Sequence, residues 1–429
     1  MNIYRLFSRF SVLVCALGFT SLVACMGTSS STNAATPSES SASKILLQAN
    51  AVPITANQPA AITDEQLQAF GNAVGNARIA SLAEQTHGTQ QEFELKTRLV
   101  KYLHEQKGFD AIIIESGFFD MGMLAKSMQG GAKLDELAPG NVFYMYSRSR
   151  EGRQLLQYID ETQSSAKPLA FAGMDSQHSG KLSQDQLLSG LRADLLARNS
   201  PLAHDANWAD FAAVTSKLLK MQRDVPLTKQ QNAFKAMAAS LRQTYCVPVR
   251  HWWCQVIKSV ESQAQTFWSD PADYQRDNQM GDNIIWLAEH TFAAKKVILW
   301  SHAVHAMHNY QIDAQHLYAG SIVKRHFGDD YFVLNLTAAG GRYLDDYTME
   351  VRNLPTPDPH SLEAFLDTPD FAKPMYFVAT PKPLPSDWGR LKSQVMDFNM
   401  PPNTTRNGLG SQWDAQFHIQ RVNPVTLTR

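Results

Sequence analysis

The chain has 429 residues, of which 44% are hydrophobic and 18% charged, the profile of a globular protein with one large domain or two smaller ones and ample material for a core. Lys and Arg number 39 against 40 Asp and Glu, and no long basic run occurs, so nucleic acid is not an expected partner. Four cysteines, none in a Cys-x-x-Cys pair, exclude a disulfide framework and argue against a zinc ribbon.

In chain order, residues 1–25 read as a lipoprotein signal peptide. Arg5 and Arg9 precede an apolar stretch too short to span a bilayer. The stretch ends at Leu22-Val23-Ala24-Cys25, which resembles the bacterial lipobox, so Cys25 is the expected lipidation site. Met26 rather than Asp follows it, which predicts an anchor in the outer membrane facing the periplasm. Residues 26–43, rich in Ser, Thr and Ala, read as a flexible tether, and the body occupies 44–429. An oxidising compartment permits a disulfide between Cys246 and Cys254; two buried thiols are the alternative.

Short apolar runs at 79–83, 111–114, 169–174, 296–300 and 331–336 predict buried strands, and a helical pattern separates the first two. This predicts an α/β fold with a mainly parallel central sheet flanked by helices. Residues 181–290 show helical periods with few strand signals, as in a helical insertion. The Pro- and turn-rich stretch from Asn353 onward shows no clear placement.

Parallel sheets build their sites beyond the carboxyl ends of the strands. The first strand runs into Glu84-Gln85-Thr86-His87-Gly88-Thr89, and Thr89 and Glu92 have capping-box spacing. His87 therefore sits beside an expected helix N-terminus, which disfavours imidazolium and suits a general base. The other strands reach Glu115, Asp175, and His302 with His305. Singly, each is more often a structural hydrogen bonder or helix cap. Together, at one sheet edge, they form a candidate site.

These segments resemble the erythromycin esterase family. The resemblance runs from about Ile79 to Leu336 and rests on the Glu84–Thr89 segment, Glu115, the run Arg276-Asp277-Asn278-Gln279-Met280-Gly281-Asp282, and Trp300-Ser301-His302-Ala303-Val304-His305. It implies metal-free opening of a macrolide lactone, with His87 as base assisted by Glu84 and Glu115, and with His302 and His305 lining the site. No cofactor is implied. Lys96 stands where the family has an arginine, and Asp282 where a glutamate is more usual. Arg276 and Asp277 are read equally as structural or as site residues.

The expected chemistry is hydrolysis of a small-molecule ester by water activated at His87, with His302, His305 or Lys96 stabilising the oxyanion. The absence of a Gly-x-Ser-x-Gly elbow disfavours a serine nucleophile. A metal-dependent hydrolase or metal-binding lipoprotein using the same side chains is one alternative. A non-catalytic ligand-binding lipoprotein, suggested by Lys96, is another.

Overall fold

The computed structural model describes residues 39–248, 251–269, 275–309, 316–383, 393 and 412–428. The signal-peptide and Cys25 assignments, and most of the tether, lie outside the described residues. The end of the assigned tether is helical: a helix runs Glu39–Asn50, held by Leu46 and Leu47 packing on the core.

The strands are β1 (Ala51–Ile54), β2 (Ile79–Glu84), β3 (Phe109–Gly117), β4 (Ala170–Asp175), β5 (Lys296–His302), β6 (Tyr331–Leu344), β7 (Val351–Asn353), β8 (Met375–Ala379) and β9 (Ala415–Val422). They form one sheet in the order β1-β8-β9-β6-β2-β5-β3-β4, with β7 paired to β6. Pairing is parallel for β2 with β5 and β6, for β3 with β4 and β5, and for β6 with β9. β8 runs antiparallel between β1 and β9. The mainly parallel sheet is therefore present, and the unplaced C-terminal stretch supplies β8 and β9.

Every residue of β2 is buried, as a central strand covered by helices on both faces requires. The strand pleat sends Ile79 and Ala83 to one core and Ala80 and Leu82 to the other. The helix Gln90–Lys107 packs on the second face through Phe93, Leu95, Leu99 and Leu103. The first face is covered by the segment between β4 and β5. It holds the helices Lys181–Ala197, Trp208–Leu219, Thr228–Cys246, Trp252–Trp268 and Gln275–Trp286, with no strand among the described residues. A disulfide joins Cys246, at the end of one of these helices, to Cys254 in the next.

Candidate active site

The parallel register brings the ionisable strand ends to one edge: Glu84 lies beside His302, and Gly117 beside Asp175. Pleat parity then separates the two glutamates. Glu84 continues the Ala80–Leu82 face toward the helix Gln90–Lys107, while Glu115 continues the Ala111–Ile113 face toward the helical insertion. Each carboxylate meets a different cation.

Glu84 and Lys96 are both fully buried and form an ion pair. The ammonium lies 4.0 Å from the centroid of the Trp300 ring. Burial works against ionised Glu84, but Lys96 and then His87 outweigh it and hold the carboxyl down to about 2. Lys96 is thus sequestered behind Glu84, and the expectation that it stabilises an oxyanion directly is not met: its charge is spent on Glu84 and it has no exposed surface. The Thr89 side chain also departs from its expected role. Its hydroxyl donates to Glu92 Oε2 (2.6 Å) instead of capping the helix amides. Burial pushes Glu92 up to about 8.

Glu115 collects the second set of cations. His305 Nε2 approaches Glu115 Oε1 at 3.3 Å, and His305 Nδ1 lies 2.6 Å from Asp277 Oδ1. Burial pulls His305 down, but Asp277 and Glu115 outweigh it and push it up to about 10, so it is an imidazolium at neutral pH. Arg276 forks onto Asp175 through Nε (3.0 Å) and Nη2 (2.8 Å), and Nη2 also stands 3.6 Å from Glu115. Arg276 and Asp277 therefore belong to the site. Asp282, in the same helix, pairs with Lys258 instead.

His302 donates from Nε2 to the carbonyl of Gln85 (2.9 Å), and Nδ1 accepts from the Val304 amide (3.3 Å). Burial and the neighbouring His87 hold it down to about 4, so it is neutral. Both nitrogens of His302, and both of His305, are committed to protein partners. Neither offers the free N–H expected of an oxyanion donor. Among the described residues, no group of three or more His, Cys, Asp or Glu side chains is placed to hold a metal ion.

His87 bridges the two carboxylates. Nδ1 is 3.0 Å from Glu84 Oε1, and Nε2 is 3.9 Å from Glu115 Oε1. An ionised carboxylate only accepts, so in the neutral ring Nδ1 carries the proton and Nε2 keeps its lone pair free. Burial lowers its basicity, but Glu115 and Glu84 outweigh burial and raise it above the ordinary histidine value. The shift is upward, set by the two carboxylates, and not the downward one expected beside a helix N-terminus. The turn is fixed from behind: the Gly88 carbonyl accepts from the amides of Leu344 and Val425, and a Cβ at Gly88 would lie 1.8 Å from the Leu344 carbonyl oxygen. Sequence reasoning missed Tyr146, whose hydroxyl donates to Glu84 Oε1 (2.8 Å) and lies 3.3 Å from His87 Nδ1.

Residues 104–422 match the family model described as erythromycin esterase. The chain belongs to the erythromycin esterase family. The His87 turn precedes the matched span. The "Putative hydrolase YbfO" of Bacillus subtilis (strain 168) is 25% identical over 396 residues, covering 83% of this chain and 86% of that protein. Family and relative together point to a hydrolase. Two solved structures share the fold. A succinoglycan biosynthesis protein superposes with a TM-score of 0.72 at 21% identity, covering 91% of this chain and 99% of that one. A mutant of the erythromycin esterase EreC in its open conformation gives 0.65 at 16% identity, covering 87% and 98%.

Proposed function

We propose that the protein hydrolyses an ester or lactone, a macrolide-like ring being the first candidate, with His87 as the general base. One observation carries this reading: an imidazole anchored at Nδ1 by a buried carboxylate, with Nε2 free, at a site where it is 13% exposed while Glu84 and Lys96 are fully buried. In the proposed step, His87 Nε2 takes a proton from water as the water oxygen adds to the ester carbonyl. The tetrahedral intermediate then collapses, the C–O bond to the alcohol breaks, and the imidazolium returns the proton to the leaving oxygen. The imidazolium is sheltered by Glu84 and Glu115. Arg276, with 27% of its side chain exposed, is the most accessible cation of the cluster and the group we assign to the developing oxyanion.

The test is mass spectrometry of erythromycin, then of an ester panel, incubated with the purified protein and with His87→Ala. Gain of one water in the wild type, reduced on the order of 100-fold or more in the variant, supports the reading. Full activity in His87→Ala, or no turnover of any ester, defeats it. We also propose that Cys25 carries a lipid anchor in the cell envelope, with the outer membrane facing the periplasm as its site. Radiolabelled fatty acid incorporated into the wild type but not into Cys25→Ser would support the anchor, and equal labelling would reject it.

A further inference from the structure

The short helix Tyr144–Arg148 delivers Tyr146 into the gap between the sheet edge and His87. The side chain is 1% exposed, wedged edge-on against Phe93, Trp300 and the His87 ring itself. A tyrosine needed only for packing gains nothing from a hydroxyl placed there, because a buried O–H demands a partner. This one finds Glu84 Oε1, the same oxygen that receives the His87 Nδ1–H. We propose that Tyr146 is a positioning residue of the reaction: by sharing Glu84 Oε1 with His87, its hydroxyl fixes the imidazole in the orientation and tautomer that leave Nε2 free. The proposal rests on His87 being the base.

The arrangement also sets how strongly the imidazole holds a proton. The groups facing His87 are Glu84, Tyr146, Glu115, His302 and Asp346. Behind the two glutamates stand Lys96, and Arg276 with His305. Burial, Glu84 and Glu115 keep the phenol itself un-ionised, so it acts only as a donor to the carboxylate. Each donor on Oε1 draws negative charge away from the imidazole. Tyr146 therefore restrains the carboxylate that would otherwise keep the base protonated. Removing the hydroxyl makes Glu84 the stronger partner, and His87 holds its proton to higher pH.

Tyr146→Phe keeps the ring and deletes the oxygen. Two readouts apply: the pH dependence of kcat/KM on the ester that is turned over, and the NMR titration of the His87 ring, assigned with His87→Asn. The expected result is that both midpoints move up by about half a unit to one unit. The plateau falls on the order of tenfold, in kcat more than in KM, because the ring loses one of its constraints. In a Glu84→Gln background, adding Tyr146→Phe should not move the His87 titration, since the hydroxyl acts through that carboxylate. If the phenylalanine variant does not fold, 3-fluorotyrosine at this position, a stronger donor of nearly equal volume, should move the titration down. A titration that does not move in either substitution overturns the proposal, as does a purely structural pattern of lower Tm with unmoved midpoints. Should no ester be cleaved, the assignment of His87 as base fails while the NMR titration still decides whether Tyr146 governs the imidazole.

Discussion

Lys96→Met removes one charge from a pair in which both side chains are fully buried, and it keeps most of the buried stem. A carboxyl held near 2 in place of the ordinary 4.5 is favoured in its ionised form by about 3 kcal/mol at neutral pH. Burial opposes that preference, and the charge of Lys96 is the largest single interaction supplying it, ahead of either the hydrogen bond or the charge of His87. Breaking one side of a buried pair costs about 3–5 kcal/mol by general experience, because the remaining charge is stranded. The two partners carry opposite messages, since burial outweighs Glu84 at Lys96 and pulls its ammonium below the ordinary lysine value. The pair as a whole therefore contributes less than it costs to break, and the cost of breaking is what this variant measures. For a body of roughly 390 residues, an unfolding entropy of about 2 cal/mol/K per residue turns the loss into a fall in Tm of about 4–6 °C. Glu84 is depressed in the folded state, so its stabilisation is present above about pH 4.5 and disappears as pH falls through about 2. The gap between wild type and variant, followed by differential scanning calorimetry, should close over that acidic range. A Tm within 1 °C of wild type at pH 7 would refute the reasoning.

The remaining predictions concern the imidazoles. His87 must be neutral to accept a proton, and Glu115 and Glu84 outweigh burial to raise it above 6.5, so kcat/KM should fall as pH drops through a value above 6.5; a profile flat down to pH 6 would count against His87 as base. His305 is raised from 6.5 to about 10, so its stabilisation is complete below about 6.5 and lost as pH rises through about 10. His305→Gln should abolish that alkaline decline in Tm, and a decline that persists unchanged would place its cause elsewhere.

The edge that carries the site is legible because β2, β4 and β5 end in Glu84, Asp175 and His302 and β3 carries Glu115 two residues before its end, and a parallel sheet aligns such positions. Residue types at strand ends are a local signal. The protonation and commitment of those residues are not. That His302 is held neutral by burial and His87 with its Nε2 occupied by the Gln85 carbonyl, while His305 three positions later is an imidazolium beside Asp277, depends on groups reaching them from distant elements. Arg276 stands within a recognisable motif, yet its role turns on Asp175, 101 positions earlier. Tyr146 gave no signal because its short helix has no periodicity to read and its partner lies 62 positions away. The strand β9 does alternate, with Ala415, Phe417 and Ile419 toward one core, but the Pro-rich surroundings hid it.

In the sequence, lysine at position 96 suggests a site that binds without catalysing. Such a loss requires a side chain that faces the substrate, where an arginine would present a planar fork to an ester or carboxylate. The structure places the ammonium on the far side of Glu84, against the face of Trp300, with the Ser301 carbonyl 3.4 Å away. What Glu84 needs from that direction is one compensating charge, and a point charge on a flexible stem supplies it. The fork is present elsewhere in the cluster, on Arg276, where it grips Asp175 with two hydrogen bonds beside Glu115. Lysine at position 96 therefore alters how the carboxylate partner of His87 is held, and in the proposed reaction it removes nothing that would touch the reacting atoms.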